Sequence, residues 1–296
     1  MKVFVTGATG FVGSAVTQEF IAHGHSVLGL SRSDDGAAKL VALGAGVRRG
    51  TLEDHAGLHE AASQCDAVIH CGFSHDFSKF AETCENDRKV IATFADAYTG
   101  TQRPIVVTSG AALLRGAEVS EDMPVPAGSP NPRVATEQAA EAAVSQGADV
   151  RVVRLPIVHG ENDPGFLRLL ITLARQKGFA AYMGTGENCW PTVHLLDTAP
   201  LYRLVLERGE TRKRYHPVAE AGVAFRDIAE AIGKRLDLPV RSLEAEEAQA
   251  YFTWFFHFAG LDCKASSAIT RKALDWEPKQ EGVLADLSAS PTYFLP

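Results

Sequence analysis

Thr6-Gly7-Ala8-Thr9-Gly10-Phe11-Val12-Gly13 constrains this chain more than any other stretch. It follows an apolar, β-branched run, Lys2–Thr6. It leads into a stretch of helical period over 12–23, where Val12, Ala15, Val16 and Phe20 share one face. Strand, glycine-rich turn and helix in that order give this spacing its chemical meaning. Gly7 permits the tight turn, Gly10 lets backbone amides approach a pyrophosphate, and Gly13 allows close helix–sheet packing. The helix N-terminus then offers free N–H groups and partial positive charge to phosphate. The motif points to a bound dinucleotide, with Thr9, Phe11 and Val12 at the same turn.

The rest of the first half has a matching rhythm. Strand-length apolar runs fall at 26–30, 46–48, 67–70, 104–108 and 150–154, and a seventh is expected at 214–218. Helical stretches are predicted between them, at about 35–43, 55–64, 79–98 and 133–146. Such alternation argues a parallel sheet covered on both faces. After about residue 156 helices dominate, near 164–177, 196–208, 225–235 and 243–258. The expected architecture is α/β: a Rossmann-type doubly wound parallel sheet with a smaller, mostly helical C-terminal substrate domain. The first domain takes 1–158 plus about 192–218, and the second takes about 159–191 and 219–296.

Choice of dinucleotide is read at the end of the second strand, where an acid would bind the ribose 2′-hydroxyl. The chain there reads Ser31-Arg32-Ser33. A carboxylate would repel a 2′-phosphate, whereas an arginine flanked by hydroxyls would bind it. NADP is therefore favoured over NAD.

These residues resemble the short-chain dehydrogenase/reductase superfamily, in its extended, NAD-dependent epimerase/dehydratase-like branch. The resemblance runs over nearly the whole chain. Gly50-Thr51-Leu52 is similar to the adenine-contacting turn after strand three, with Thr51 in place of the usual Asp. Cys71-Gly72-Phe73 follows strand four, where the family passes under the cofactor. Thr108-Ser109-Gly110 resembles the strand-five end that carries the catalytic Ser/Thr. Arg154 to Gly160, with Pro156, Ile157 and Val158, resembles the segment beside the nicotinamide. Val193-His194-Leu195-Leu196-Asp197 and Leu274-Asp275-Trp276-Glu277-Pro278 are similar to two further signatures of extended members.

The family's YxxxK signature is missing: none of the six tyrosines has a lysine four residues later. Using Glu137 to fix the register, Arg133 stands at the lysine position and Ser129 at the tyrosine position. Ser109 lies one residue before the usual catalytic serine, whose place is taken by Gly110. Asp87, beside Asn86, stands at the helix-four asparagine. The pattern resembles an atypical subgroup lacking YxxxK. By resemblance Arg133, Ser109 and Ser129 are candidate catalytic residues, with Arg133 and Thr108 also at the cofactor. The competing role for Arg133 is a helix residue paired with Glu137.

Arg133 can stabilise a developing alkoxide but cannot donate a proton. An unassisted serine hydroxyl is a poor acid. The proton must come from elsewhere or from water. His159, at the C-terminal end of the sheet, is the first candidate, ahead of His70 and His75. His194 and Asp197 read as structural.

Asn188, Trp190, Trp254 and His75 are the candidate substrate-binding residues. If part of the aromatic run 251–258 lines the cleft, the pocket suits a ketone, enone or aromatic carbonyl better than a sugar nucleotide. Phe252, Phe255 and Phe256 read as core. There is no zinc spacing, HExxH or EF-hand loop, so no metal is expected. Five cysteines, odd in number and without a CxxC pair, suggest reduced thiols and a cytoplasmic setting. With 29 basic against 36 acidic residues and no basic block, neither nucleic acid nor a membrane surface is an expected partner. The expected partner is a small molecule, and family resemblance allows a homodimer through about 79–98 and 133–146. The function expected is an NAD(P)H-dependent oxidoreductase acting on a small carbonyl or alcohol. The alternatives are an epimerase or dehydratase that retains its nicotinamide, or a non-catalytic NADP(H) sensor.

Overall fold

A computed structural model describes residues 1–114, 116–126, 128–290 and 292–294. In chain order the first half runs β1 (Lys2–Thr6), α1 (Phe11–Ala22), β2 (Ser26–Ser31), α2 (Asp34–Ala42), β3 (Gly46–Arg49), α3 (His55–Ser63), β4 (Ala67–His70), α4 (Phe80–Ala97), β5 (Ile105–Gly110), β6 (Gly116–Val119), α5 (Ala135–Ser145) and β7 (Val150–Leu155). The second half adds β8 (Ile157–His159), α6 (Phe166–Lys177), β9 (Ala180–Met183), β10 (Cys189–His194), α7 (Leu195–Arg208), β11 (Arg214–Tyr215), β12 (Glu220–Ala224), α8 (Phe225–Leu236), β13 (Val240–Leu243), α9 (Ala245–Phe252), α10 (Phe256–Ala259), β14 (Cys263–Ala265), α11 (Ala268–Leu274) and α12 (Val283–Ala289).

Seven strands form one sheet in the order β11-β7-β5-β4-β1-β2-β3. All of its pairings are parallel. Strand order reverses between β1 and β4, the switch point at which open α/β sheets bind ligands beyond their carboxyl ends. Each strand alternates its side chains between two cores. Val3, Val5, Ile69 and Val106 face a cluster with Val16 and Phe20 of α1 and Tyr202 of α7. Phe4, Val68, Ile105 and Val107 face one with Val90 and Phe94 of α4 and Ala139 of α5. This two-sided burial is why the strands read as unbroken apolar runs.

The remainder of the chain has its own core, in which Leu167, Trp190, Phe225, Phe252 and Phe255 pack together. It carries more strand than the sequence suggested: small sheets β12-β10-β8, β13-β9 and β14-β6 accompany the helices. These strands are too short or too mixed for periodicity to reveal. The single helix expected over 243–258 divides at Thr253, whose φ of +52° is incompatible with a continuing α-helix. Phe252 and Phe255 are buried as expected, whereas Phe256 is only partly so. The strand expected over 214–218 is confined to Arg214–Tyr215. Among the described residues no helix is long and apolar enough to cross a membrane.

Candidate active site

The glycine turn lies at the switch point. Gly7 has φ +66°, and a Cβ there would stand 2.7 Å from the Gly72 nitrogen on the turn after β4. A Cβ on Gly13 would strike the Gly7 carbonyl. A Cβ on Gly10 would meet only the Gly7 carbonyl, at 3.3 Å, so this residue keeps space clear rather than allowing packing. Gly10 is the N-cap of α1, with no side chain capping the helix and no acid in its first turn. Its orphan N–H groups and positive dipole end are therefore available to an anion. Open space above Gly10, an uncapped helix and a left-handed Gly7 fit the pyrophosphate of a dinucleotide.

At the end of β2, buried Ser31 donates to the Ser33 carbonyl at 3.0 Å. The Ser33 hydroxyl caps α2 by accepting from Gly36 N–H at 3.1 Å. A Cβ on Gly36 would lie 3.2 Å from Thr9, which places the first glycine turn beside this one. Arg32 is exposed. Sequence reasoning missed Arg49, which donates to the Ser33 carbonyl and pairs with Asp34 at 2.9 Å. Two arginines thus flank this turn, the second brought in by parallel pairing of Ser31 with Arg49. Thr51 is exposed, and its hydroxyl accepts from Glu53 N–H at 3.4 Å. Leu52 packs beneath Gly72 and accepts, through its carbonyl, from Asn86 at 3.3 Å.

A chain of directed hydrogen bonds runs from the glycine turn to Arg133. Gly72 N–H donates to Thr6 Oγ1 at 3.1 Å, and Thr6 Oγ1 is 2.6 Å from His70 Nδ1. His70 Nε2 lies 2.9 Å from Asp87 Oδ1. An ionised carboxylate only accepts, so His70 Nε2 carries a proton and donates to Asp87. Asp87 Oδ2 accepts from Arg133 Nη1 at 2.8 Å and from the Thr136 hydroxyl. Arg133 Nη1 also contacts Thr136, and Nη2 donates to the Thr108 carbonyl at 3.0 Å. Burial would raise the Asp87 carboxyl. The His70 hydrogen bond, the His70 and Arg133 charges and Thr136 outweigh it and hold the group at about 2. Asp87, not Glu137, is thus the partner of Arg133.

Glu137 is buried in a different network. Arg154 grips both of its oxygens at 2.7 and 2.6 Å, and Arg214 adds a contact at 3.1 Å. Burial alone would raise its carboxyl, but Arg154, Ser109 and Arg214 lower it. Ser109 donates to Glu137 at 2.9 Å and is itself buried. Its hydroxyl is committed to this ion cluster and is not presented to a substrate. Ser129 accepts from Asn131 N–H at 3.4 Å in a groove of about 280 Å3 bounded by Cys84, Arg88 and Gln138. Thr108, on the opposite side of β5 from Ser109, contacts Tyr202 Oη at 2.7 Å and Cys71 Sγ at 3.7 Å. Burial pushes the Tyr202 hydroxyl well above its ordinary value and the Cys71 thiol up to about 11, so neither titrates near neutrality. The sequence held no sign of Tyr202, which reaches Thr108 from α7.

The histidines separate. His70 belongs to the Asp87 chain. His159 is fully buried, with Nδ1 2.8 Å from Asp286 of α12. His194 stands edge-on to it, ring centroids 5.3 Å apart, and its Nδ1 accepts from Leu196 N–H at 3.1 Å. Tyr293 joins Asp286 at 3.2 Å and accepts from Gly160 N–H at 2.7 Å. His159, His194 and Asp286 form a compact group, but these bonds make it an anchor for the C-terminal segment. His159, expected to supply the proton, is thus turned to α12. Pro156, Ile157 and Val158 lead into it along β8, which pairs with β10. The Asp197 carboxylate accepts from the N–H groups of Lys279 and Gln280 at 2.8 and 2.9 Å, as its structural reading required.

His75 also lies near Arg133. Phe73 lies under the guanidinium, 4.0 Å from its ring centroid, and His75 is edge-on to Phe73 at 5.7 Å. Partial desolvation, then the Arg133 charge, lower the His75 imidazole. Trp254 is half exposed and stacks on Phe77 at 4.8 Å. Two expected substrate contacts fall elsewhere. Trp190 is a core residue, 4.8 Å from Phe225. Asn188 donates to the carbonyls of Ala259 and Leu261 at 2.8 and 2.9 Å.

The chain is 43% identical over 294 residues to the uncharacterized protein YLL056C of Saccharomyces cerevisiae, covering 98% of this chain and 99% of that one. It is 31% identical to a Stigmatella aurantiaca 4-hydroxy-2-methyl-3-oxo-4-farnesyl-3,4-dihydroquinoline-1-oxide ketoreductase, covering 77% of this chain and 71% of the relative. The fold superposes with a TM-score of 0.78 on the dTDP-glucose 4,6-dehydratase DesIV of Streptomyces venezuelae, at 21% identity, covering 99% and 96% of the two chains. Residues 3–218 match the model of the NAD dependent epimerase/dehydratase family, and to that family the chain belongs.

Proposed function

We propose that this protein is an NADP(H)-dependent oxidoreductase acting on a small organic carbonyl or its alcohol, with Arg133 in place of the Tyr/Lys pair. The observation that carries this reading is the Asp87–Arg133–Thr108 arrangement. A guanidinium has five N–H donors. Three of them are engaged here, two from Nη1 and one from Nη2. That leaves two (five minus three) for a ligand, on a cation fixed at the end of β5. A preorganised donor of this kind stabilises oxyanion charge without reorganising during reaction.

A bound nicotinamide dinucleotide would supply or accept the hydride. The N–H groups at the start of α1 bind its pyrophosphate beside Gly7 and Gly10. Arg32 and the Ser33 turn, with Arg49 alongside, hold a 2′-phosphate. Arg133 orients the substrate oxygen and stabilises its negative charge. His75 takes the proton from the alcohol in the oxidative direction and, as the imidazolium, returns it to the oxygen in the reductive direction, directly or through water.

The test is single-turnover incubation with NADPH carrying deuterium at the reactive C4 position and a panel of carbonyls. Deuterium on the product carbinol carbon supports the reading. Deuterium retained on the cofactor while substrate isomerises makes the protein an epimerase. Tight NADPH binding with no transfer to any carbonyl makes it a sensor.

A further inference from the structure

We propose that the substrate is an apolar aromatic or conjugated carbonyl compound, bound with its oxygen on Arg133 and its body along the ring seam Phe73–Phe77–Trp254. This rests on the oxidoreductase reading above and names its substrate class. The seam starts at the cation, since Phe73 lies face-on to the guanidinium at 4.0 Å. It continues through Phe80, 6.3 Å from Phe73 and 5.7 Å from Phe77. Phe77 stacks on Trp254 at 4.8 Å, with an angle of 25° between the rings, and meets Phe258 edge-on at 5.5 Å. Phe258 in turn touches Phe166 at 5.0 Å.

Two features separate this seam from an ordinary core. Its rings come from both parts of the molecule: Phe73 and Phe77 from the loop after β4, Trp254 and Phe258 from the segment after α9. Its rings are also incompletely covered. Phe73, Phe77, Phe80, Phe166 and Phe258 are partly exposed, and Trp254 is half exposed. In contrast Phe252 and Phe255, next to them in sequence, are closed off. A contiguous aromatic surface left open beside a fixed cation marks a ligand-binding face. Flat rings stack with offset on other flat rings, so the seam selects planar unsaturated bodies.

The charge at the seam argues against a sugar nucleotide. A diphosphate is held by several converging cations or bidentate arginines. Arg133 is the cation resting on these rings, and Asp87 already neutralises much of its charge. One oxygen with little net charge, a ketone or enone C=O, matches its two remaining donors. In the reductive direction the carbonyl carbon would gain the hydride of NADPH, the oxygen would gain a proton from the His75 imidazolium or from water, and NADP+ would be released.

The test compares reduction of an aryl alkyl ketone, a short aliphatic ketone and a nucleotide-linked keto sugar by the full-length protein. The aryl ketone should have the highest kcat/KM. Trp254→Ala and Phe77→Leu should each raise its KM roughly tenfold, the loss expected for one aromatic contact of about 1.5 kcal/mol. Neither should change KM for the aliphatic ketone, nor Kd for NADPH. Equal losses for aryl and aliphatic ketones would show the seam to be a clamp between the two parts and overturn the proposal. A preference for the keto sugar would overturn it too, while leaving the oxidoreductase reading intact. No deuterium transfer to any of the three would instead refute that reading. Saturating quenching of Trp254 fluorescence by the aryl ketone, lost in Trp254→Phe, gives a binding readout independent of turnover. Its absence would count against the seam.

Discussion

The Arg133 guanidinium lies 2.8 Å from the Asp87 carboxylate, whose other oxygen is 2.9 Å from His70. A cation that cannot lose its proton is thus paired with a buried carboxylate, and that carboxylate is tied through His70 and Thr6 to Gly72, which packs against Gly7. Asp87 and the Thr108 carbonyl set the orientation of the guanidinium, and a planar fork exploits both at once.

Arg133→Ala should lower kcat by at least about 100-fold, the usual loss for one preorganised oxyanion donor. Arg133→Lys should recover only a small part, because one ammonium group cannot reproduce the fork to Asp87 and Thr108. Steady-state kinetics with NADPH tests this. Unchanged kcat in Arg133→Ala would remove the residue from the chemistry.

Asp87→Ala should destabilise the fold by about 3–5 kcal/mol, since it strands a largely buried cation. The pH dependence has a definite sign. The Asp87 carboxyl lies at about 2 in the folded protein, below its unfolded value near 3.9. Its contribution is therefore fully present above about pH 4 and is lost as pH falls toward 2. The gap in urea midpoint between wild type and Asp87→Asn should narrow over that interval. A constant gap from pH 6 to pH 2 would contradict the assignment.

Arg32→Ala should weaken NADPH binding roughly tenfold or more and leave NADH unchanged, as expected for a charged hydrogen bond worth about 1.5–3 kcal/mol. Calorimetric titration of both cofactors decides it. Equal affinity of the wild type for NADPH and NADH would refute the 2′-phosphate site.

Gly10→Ala and Gly13→Ala should fail for different reasons. At Gly13 the methyl collides with the Gly7 carbonyl, so the loss is in folding, by about 1–3 kcal/mol. At Gly10 the methyl would stand 3.3 Å from the Gly7 carbonyl, a tight contact that a shift of a few tenths of an ångström relieves, so the variant should lose less stability than Gly13→Ala and lose cofactor affinity. Thermal melts with and without NADPH separate the two. A normal NADPH-induced shift in Gly10→Ala would exclude the pyrophosphate from that position.

Ser109→Ala should cost about 1 kcal/mol, the worth of one hydrogen bond to Glu137, and leave kcat within about twofold. A loss of several orders of magnitude in kcat would return Ser109 to the catalytic set.

Much of this was legible in the residue order because its causes are local. The glycine turn, the apolar runs of the parallel strands and the uncapped start of α1 are settled within about a dozen residues, and so is the absence of YxxxK. The register from Glu137 singled out Arg133 but left its partner open between Glu137 and other groups. Choosing Asp87, 46 residues away, required the packing of α4 against α5. Ser109 and Thr108 are neighbours on one strand, yet one faces the buried Glu137 cluster and the other faces Tyr202 and Cys71. Alternation fixes that they differ, and only the helices on each face decide what each one meets. His159 looked free in the sequence, whereas its ring is claimed by Asp286, 127 residues later. The aromatic run after 250 announced rings without saying which were covered. The break at Thr253 turned Trp254 outward onto Phe77 and Phe255 inward to the core. By itself, then, the sequence determined a glycine-rich strand–helix turn on a doubly wound sheet and the absence of a YxxxK pair. Tertiary structure decided which polar side chains remain available at the site, because hydrogen-bonding groups buried on folding must find partners, and most of those partners are distant in the chain.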